Sequence, residues 1–257
     1  MTPEIRVDLT GGVLTITLAR PDKKNALTNE MYGTLADTIE EAEHASHVRV
    51  VLVQGDGDMF TAGNDVGEFA AIAAGKGPSE RHVHRFLHAL AKSTVPIVAA
   101  VNGKAVGVGT TMLLHCDLVY AARSATFTAP FVNLALVPEA ASSLLLPQRI
   151  GHAKGAELFL LGAKLDAAGA EAAGLVSAVF DDAALLAEAT TRAKALAAKA
   201  PNAVRLTKAL MKRQPEAVAA RMAQETRHFG AQLTSPEVRE AITAFMQKRA
   251  PDFSSLS

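Results

Sequence analysis

The 257-residue chain balances 26 Lys plus Arg against 26 Asp plus Glu, so it has no overall charge that would attract nucleic acid or an acidic membrane surface. It contains no Trp and few other aromatic residues, which argues against a stacking surface for bases or sugars. The single Cys116 excludes both an internal disulfide and a cysteine-based metal site.

Alternating apolar residues predict a β-hairpin at the start of the chain, with strands at 5–9 and 13–18 around Gly11-Gly12. A helix capped by Thr28 follows and ends near Ala45. Further elements predicted up to residue 127 are a strand at 48–53, a helix at 79–92, a strand at 97–101, a short helix ending at His115, and strands at 117–121 and 125–127.

The second half of the chain is mostly helical. Helical patterns fill most of residues 140–161, and a last strand is predicted at 175–180. From residue 182 onward only helices are predicted, at about 183–199, 202–213, 215–232 and 236–248. The alternation of strands and helices predicts an α/β architecture with partly parallel sheets, followed by an all-helical end.

The division into parts follows from that pattern. We predict a core over residues 1–200 and a C-terminal helical region over residues 201–257. The helical region carries apolar faces that need a covering surface, formed by Val204, Leu206, Leu210, Ala241, Phe245 and Met246. We expect these faces to pack on the core or on a neighbouring subunit.

Targeting signals are not evident. The N-terminal segment lacks the basic and apolar regions of a signal peptide, and the C-terminal residues 254–257 differ from a peroxisomal address of the Ser-Lys-Leu type. The chain has no apolar run of about 18 residues or more that could span a membrane. We therefore expect a cytoplasmic protein without a membrane partner.

One acidic residue stands in an unusual context. Glu139 is the only acid between Asp117 and Glu157, within an apolar run bounded by prolines. If it is buried, desolvation raises its proton affinity towards the range of a general acid/base near neutral pH. The alternative is a glutamate at a helix start that favours the helix dipole and points into water. The sequence pattern alone leaves both interpretations open.

Two glycine-containing turns are the other candidate site. Gly103, Gly107 and Gly109 lack the further glycine of a dinucleotide fingerprint, because Met112 stands in its place. The turn at Gly107 nevertheless opens a helix with free backbone N–H groups. A second turn, at residues 60–65, follows a buried strand. Two N–H groups from these turns, converging on one oxygen, would form an oxyanion hole.

The histidines and serines are weaker candidates for catalytic or metal-binding residues. His84 and His88 are four residues apart on a predicted helix but lack a third ligand, so a solvated helix face is favoured over a metal site. His115 is expected to be structural, at a helix end. Ser142 and Ser143 are expected to hydrogen-bond neighbours at a helix start, since a Gly-x-Ser-x-Gly elbow is absent.

These motifs together resemble the crotonase, or enoyl-CoA hydratase/isomerase, superfamily over nearly the whole chain. The stretches that carry the resemblance are Arg-Pro-Asp-Lys-Lys-Asn-Ala-Leu at 20–27, Phe-Thr-Ala-Gly-Asn-Asp at 60–65, residues 96–107, Cys-Asp at 116–117 and Ala-Gly-Leu-Val at 173–176. The resemblance implies a spiral of repeated ββα units with a C-terminal helical region. It also implies a coenzyme A thioester as substrate and a homotrimer or dimer of trimers.

The resemblance places an oxyanion hole at the backbone N–H groups of Asn64 and Val108. The substrate-binding positions implied by the family's turns are Lys24, Ala62, Gly63, Asn64, Asp65, Val66, Gly107 and Phe131. Lys23 and Lys24 are candidates for the phosphate end of coenzyme A, with solvated lysines as the alternative. Phe245 and Lys248 are candidates for reaching the coenzyme A of a neighbouring subunit.

The positions of the two catalytic glutamates of typical hydratases hold Thr111 and Phe131, neither of which can move a proton. Residues 128–143 are similar instead to the peroxisomal-type Δ3,Δ2-enoyl-CoA isomerase branch, whose single catalytic glutamate matches Glu139. The chain departs from that motif at Val137, Ala140 and Ala141, where the branch has serine, glycine and cysteine.

The resemblance therefore implies an enoyl-CoA isomerase of fatty acid β-oxidation, without metal or redox cofactor. Two alternatives remain open. One is another crotonase reaction, such as enoyl-CoA hydration or thioester hydrolysis. The other is a non-catalytic acyl-CoA-binding or scaffold module, which the retention of Glu139 disfavours.

Overall fold

The computed structural model describes residues 2–212 and 215–254. Its elements in chain order are β1 (Ile5–Thr10), β2 (Val13–Leu18), α1 (Asn29–His44), β3 (Val50–Gly55), α2 (Val66–Ala73), α3 (His82–Lys92), β4 (Ile97–Val101), β5 (Lys104–Val106), α4 (Val108–Thr111), β6 (Leu118–Ala122), β7 (Thr126–Thr128), α5 (Ser142–Ile150), α6 (His152–Leu160), β8 (Leu165–Asp166), α7 (Ala167–Ala172), β9 (Ala178–Phe180), α8 (Leu185–Ala197), α9 (Pro201–Met211), α10 (Pro215–Gln232) and α11 (Pro236–Met246). Short 3-10 turns lie at residues 21–23, 112–115 and 132–134.

The strands form two sheets. The larger one has the order β1-β2-β3-β4-β6-β9, in which β1 and β2 pair as an antiparallel hairpin and every later pairing is parallel. The smaller sheet has the order β5-β7-β8, with a parallel and an antiparallel pairing. Each parallel strand is thus followed by a strand of the small sheet, a helix or both, so the chain winds as a spiral of strand–helix repeats.

Local sequence explains the first elements. Gly11 and Gly12 both have positive φ in the hairpin turn, a conformation that glycine adopts without steric cost. The Thr28 side chain accepts a hydrogen bond from the Met31 N–H and caps α1 as predicted. All five residues of β4 are fully buried, as the apolar run of a central parallel strand requires.

Helices cover the large sheet. The pair α1 and α3 pack on each other, and α8 lies across β2, β3, β4 and β6. In the C-terminal region α10 packs against α5, while α11 packs against α2. The division into a core at residues 1–200 and a C-terminal helical region at 201–257 stays a prediction. The contacts of α10 and α11 show that part of the helical region packs on the core.

Some predicted elements have different bounds. The residues between the turn at 60–65 and α3 contain α2, which the sequence pattern did not predict because Val66–Ala73 is short and Glu68 is its only polar side chain. The helical stretch predicted at 140–161 is interrupted at Gly151, whose φ is 83°. The last strand begins only at Ala178, and residue 213 at the end of the predicted helix 202–213 lies outside the described residues.

The C-terminal region is anchored to the core by buried polar contacts. Lys208 of α9 is buried and donates to the Asp117 carboxylate and the Val95 carbonyl, each at 2.7 Å. Leu206 and Leu210 on the same helix stay exposed, as do Phe245 and Met246 of α11, so their apolar faces are not covered within one chain. Among the described helices, none is long and apolar enough to cross a membrane.

Candidate active site

Glu139 lies in the turn between the 3-10 turn at 132–134 and α5. Its residue is 6% exposed, and its carbonyl accepts a hydrogen bond from the Ser142 N–H. The two following residues, Ala140 and Ala141, both have positive φ and are also buried. The helix begins only at Ser142, so the interpretation of Glu139 as a helix-start residue pointing into water is wrong.

Burial controls the chemistry of this carboxyl group. Desolvation raises the pKa of Glu139 to about 7 from its ordinary 4.5, and the charge of Glu225 acts in the same direction. The Asn64 side chain and the charge of Arg81 oppose that rise. A carboxyl group with this pKa exchanges protons readily near neutral pH.

The two glycine turns predicted from the sequence are in direct contact. Thr61 and Ala105 form a parallel β-bridge, in which the Thr61 N–H donates to the Lys104 carbonyl and the Val106 N–H donates to the Thr61 carbonyl, both at 3.1 Å. Gly63 has φ 88°, and a Cβ atom there would lie 2.8 Å from the Val106 carbonyl oxygen. Glycine is therefore required for the two turns to approach this closely.

Two backbone donors are left unused where the turns meet. Within residues 2–212 and 215–254, no carbonyl or side-chain oxygen accepts a hydrogen bond from the N–H of Asn64 or of Val108. Val108 is the first residue of α4, where the helix itself offers no acceptor, and Gly107 before it has φ 56°. Both N–H groups are therefore available as hydrogen-bond donors.

A pocket joins Glu139 to the turn at residues 60–65. Asn64 and Asp65 line it together with Tyr32 of α1. Its apolar wall is formed by Leu27, Phe69, Ile72, Val83 and Phe229. Such a mixture, mostly apolar with a few convergent polar groups, is typical of a small-molecule site.

Asp65 has a structural role in this pocket. Its carboxylate accepts hydrogen bonds from the N–H groups of Gly67 and Glu68 and so caps α2. The same carboxylate forms an ion pair with Arg20 at 2.7 Å, which helps to keep its pKa below the ordinary value despite partial burial. Asp65 is therefore held as an anion that orders the turn and the helix behind it.

The family follows from a comparison of the whole sequence with known proteins. The profile described as enoyl-CoA hydratase/isomerase matches residues 8–256. The chain belongs to the enoyl-CoA hydratase/isomerase family. A crystal structure of an enoyl-CoA hydratase/isomerase from Pseudoalteromonas atlantica T6c is 47% identical, covers 98% of this chain and 100% of its own, and superimposes with a TM-score of 0.93. The predicted crotonase fold is thereby confirmed.

Relatives within the family carry out different reactions. The chain is 36% identical over 250 residues to rat enoyl-CoA delta isomerase 2, covering 95% of this chain and 64% of that protein. It is 35% identical over 244 residues to 2,3-dehydroadipyl-CoA hydratase of Escherichia coli strain K12, covering 94% of each. The chain thus spans less than two thirds of the rat isomerase. Membership of the family is clear, and both isomerases and hydratases are among its relatives.

Of the predicted site residues, Asn64, Asp65 and Glu139 line the pocket, and the others are not among its lining residues: Lys24, Ala62, Gly63, Val66, Gly107, Val108 and Phe131. Lys24 is exposed and pairs with Asp58 at 2.9 Å, while its carbonyl accepts a hydrogen bond from the Ala62 N–H. Val66 is the first residue of α2. Phe131 is buried, with its ring centroid 6.3 Å from that of Phe159, and does not line this pocket.

The sequence analysis did not single out three residues at the site: Tyr32, Glu225 and Phe229. Tyr32 was not recognised because it lies on a helix face that also contains core residues, and Glu225 because it belongs to a mostly exposed amphipathic helix. His115 is buried and structural, as expected. The described residues contain no cluster of side chains able to hold a metal, and His84 instead lines the rim of the pocket.

Proposed function

We propose that the protein is a Δ3,Δ2-enoyl-CoA isomerase, which moves the double bond of a 3-enoyl-CoA to the 2-position. The observation that carries the proposal is a buried carboxyl group in the pocket, that of Glu139, whose pKa of about 7 suits a base that must also return its proton. The positions of the two hydratase glutamates hold Thr111 and Phe131, which cannot activate water. The similarity to rat enoyl-CoA delta isomerase 2 supports the same reaction.

The thioester carbonyl would accept hydrogen bonds from the free N–H groups of Asn64 and Val108. These donors stabilise the negative charge that develops on the oxygen when a proton leaves C2. Loss of one such donor costs roughly 10²–10³ in rate in comparable enzymes. The turns that hold the donors are fixed by the bridge between Thr61 and Ala105, so the donors need little reorganisation.

Glu139 would remove a proton from C2, which leaves a dienolate delocalised from the carbonyl oxygen to C4. It would then return the proton at C4, so that no proton is gained or lost overall. One base can serve both carbons because they lie on the same side of a planar intermediate. The reaction is a proton shift without change of oxidation state, and we therefore propose that it proceeds without metal or redox cofactor.

Coenzyme A would bind over the turn at residues 60–65. Lys24 is the candidate for its phosphate groups, because the Lys24 ammonium is exposed and held near the turn by Asp58. We further propose a homotrimer or dimer of trimers, in which the exposed Leu206, Leu210, Phe245 and Met246 are covered by neighbouring subunits. Phe245 and Lys248 are candidates for contact with a neighbour's coenzyme A. A cytoplasmic location also remains a prediction.

The test is an assay of purified protein with 3-enoyl-CoA and, separately, 2-enoyl-CoA, with identification of the products. We expect conversion of 3-enoyl-CoA to the conjugated 2-enoyl-CoA, and little or no 3-hydroxyacyl-CoA from 2-enoyl-CoA. Protein that binds acyl-CoA yet isomerises nothing would contradict the proposal and support a scaffold function.

Hydration is the second candidate, because a relative of 35% identity is named a hydratase. It requires a second proton carrier beside Glu139, and Thr111 and Phe131 do not supply one. Rapid formation of 3-hydroxyacyl-CoA from 2-enoyl-CoA would favour hydration over isomerisation.

A further inference from the structure

The turn that carries Glu139 has an unfavourable backbone. Ala140 has φ 67° and Ala141 has φ 54°, so two consecutive alanines occupy the left-handed region that residues with a Cβ atom rarely adopt. Such a conformation persists only where the surrounding structure fixes it. The contacts that fix the turn therefore help to determine where the Glu139 carboxylate points.

One contact comes from the core. The Nε2 atom of His115 lies 2.8 Å from the Ala140 carbonyl oxygen. Burial lowers the pKa of His115 to about 4, so the ring is neutral at physiological pH. A carbonyl oxygen can only accept a hydrogen bond, and the His115 tautomer must therefore carry its proton on Nε2.

The opposite contact comes from the C-terminal helical region. Oε1 of Glu225, on α10, accepts hydrogen bonds from the Ser143 N–H at 2.9 Å and from the Ser143 hydroxyl at 2.5 Å. The other carboxylate oxygen, Oε2, is buried and has no hydrogen-bond partner among the described residues. Arg221, one turn earlier on α10, donates to the Ser143 hydroxyl oxygen at 3.1 Å. Glu225 is itself 5% exposed, so it is a buried group that reaches the turn directly.

We propose that Glu225 is a positioning residue that holds the turn at residues 139–143 in place and presents Glu139 to the pocket. The inference rests on the proposed role of Glu139 as the base. Glu225 would act through two properties that can be separated experimentally. Its oxygen accepts the hydrogen bonds that fix the turn, and its negative charge opposes ionisation of Glu139.

Other groups near Glu139 also influence its ionisation. Tyr32 lies on α1 and Asn64 lies in the turn at residues 60–65, and both are neutral. The charge of Arg81 favours ionisation of Glu139. The remaining titratable groups of the pocket are Asp65, Glu68 and His84. No hydrogen bond joins Glu225 to Glu139 among the described residues, so we expect a moderate effect of charge across the turn.

The first experiment follows the Glu139 carboxyl group by ¹³C NMR during a pH titration of glutamate-labelled protein, with assignment from the signal lost in Glu139→Gln. Glu225→Gln keeps an oxygen that can accept from Ser143 but removes the charge. We expect the Glu139 midpoint to fall by roughly 0.5–1 pH unit, less than a directly contacting charge produces. Glu216→Gln, an exposed glutamate on the same helix, is the matched control and should leave the midpoint unchanged.

The second experiment measures turnover at a pH where Glu139 is fully ionised. Glu225→Ala removes the acceptor, and we expect kcat to fall about 10- to 100-fold with KM within about twofold, since displacement of a reacting group by about 1 Å can cost that much. Glu225→Gln should keep kcat within about threefold of the wild type. A general loss of structure on replacing Glu225 would not explain this difference between the two variants.

An unchanged Glu139 midpoint in Glu225→Gln, or an equal shift in Glu216→Gln, would overturn the proposal. So would equal loss of kcat in the Gln and Ala variants when both show native near-UV circular dichroism. The titration needs no substrate, so it tests Glu225 even if the isomerase assignment fails. If Glu225→Ala does not fold, Glu225→Gln still decides the outcome.

Discussion

Tyr32 donates its hydroxyl hydrogen to the side-chain oxygen of Asn64, and this contact orients the Asn64 amide. Because the oxygen is engaged by Tyr32, the NH₂ group is the end of Asn64 left to interact with Glu139, whose pKa the Asn64 side chain lowers. Burial raises the pKa of Tyr32 well above its ordinary value, so the hydroxyl stays protonated throughout the working pH range. Asn64 thus has two functions in the proposed mechanism, through its backbone N–H and through its side chain.

Tyr32→Phe tests that orientation. Without the hydroxyl, the Asn64 oxygen loses its donor and the amide is free to rotate away from Glu139. Since the Asn64 side chain lowers the pKa of Glu139, we expect the acid limb of kcat/KM against pH to move to higher pH, with kcat reduced about 3- to 30-fold. Tyr120→Phe is the matched control, as Tyr120 is buried beside Phe180, away from the pocket. An identical pH profile in Tyr32→Phe would exclude this role.

Glu139→Gln tests the base itself. The amide has nearly the same shape but cannot take up a proton, so we expect conversion of 3-enoyl-CoA to fall by about 10²–10⁴ or more. Binding of a coenzyme A ester, measured by calorimetry, should remain within a few-fold of wild type. Glu216→Gln provides the control for an exposed glutamate. Near-native turnover in Glu139→Gln would refute the assignment of Glu139 as base.

The same variant should change stability in a pH-dependent way. The pKa of Glu139 is about 7 in the folded protein and about 4.5 when unfolded, so the folded state binds the proton more tightly. The wild type therefore loses stability as pH rises from about 4.5 to 7, by about 3 kcal/mol in total. Glutamine stays neutral, so Glu139→Gln should be more stable than wild type at pH 8.5 and nearly equal at pH 4.5. Urea unfolding at both pH values measures this, and a less stable variant at pH 8.5 would contradict it.

Thr111→Val tests whether Thr111, at the position of a hydratase glutamate, takes part in proton transfer. Thr111 is fully buried, and its hydroxyl oxygen has no hydrogen-bond partner among the described residues. Valine has nearly the same shape without the hydroxyl, so we expect stability within about 1 kcal/mol of wild type or slightly higher. Isomerase activity should stay within about threefold. A loss as deep as that of Glu139→Gln would mean that the proton carrier had been misassigned.

Lys24→Ala tests the coenzyme A end of the proposed site. Lys24 and Asp58 are both well exposed, so loss of their ion pair should change the free energy of unfolding by less than about 1 kcal/mol. If Lys24 binds phosphate, KM for acyl-CoA should rise several-fold with kcat unchanged, and the difference should shrink at high salt. Lys194→Ala, an exposed lysine on α8, is the control. An unchanged KM would leave Lys24 as a solvated surface residue.

Much of the fold could be predicted because it follows local rules. The Gly11-Gly12 hairpin, the helix capped by Thr28 and the buried strand β4 each have a signal within a few residues, and the structure confirms them. Helix α2 was not predicted because its eight residues, with Glu68 as the only polar side chain, show no clear polar face. Its capping residue, Asp65, had been interpreted as part of a binding turn instead.

The sequence by itself determined which groups were available: the glycines of the two turns, the absence of hydratase glutamates at 111 and 131, and a lone acid in an apolar run. Only the tertiary structure decided what these groups can do. The pKa of Glu139 depends on burial by segments that are distant in the chain, and Glu225 reaches the turn from 82 residues beyond Ser143. Desolvation and long-range hydrogen bonds arise only when segments distant in the chain pack together. A local sequence pattern can therefore indicate a candidate base, but it does not determine the pKa or the orientation of that group.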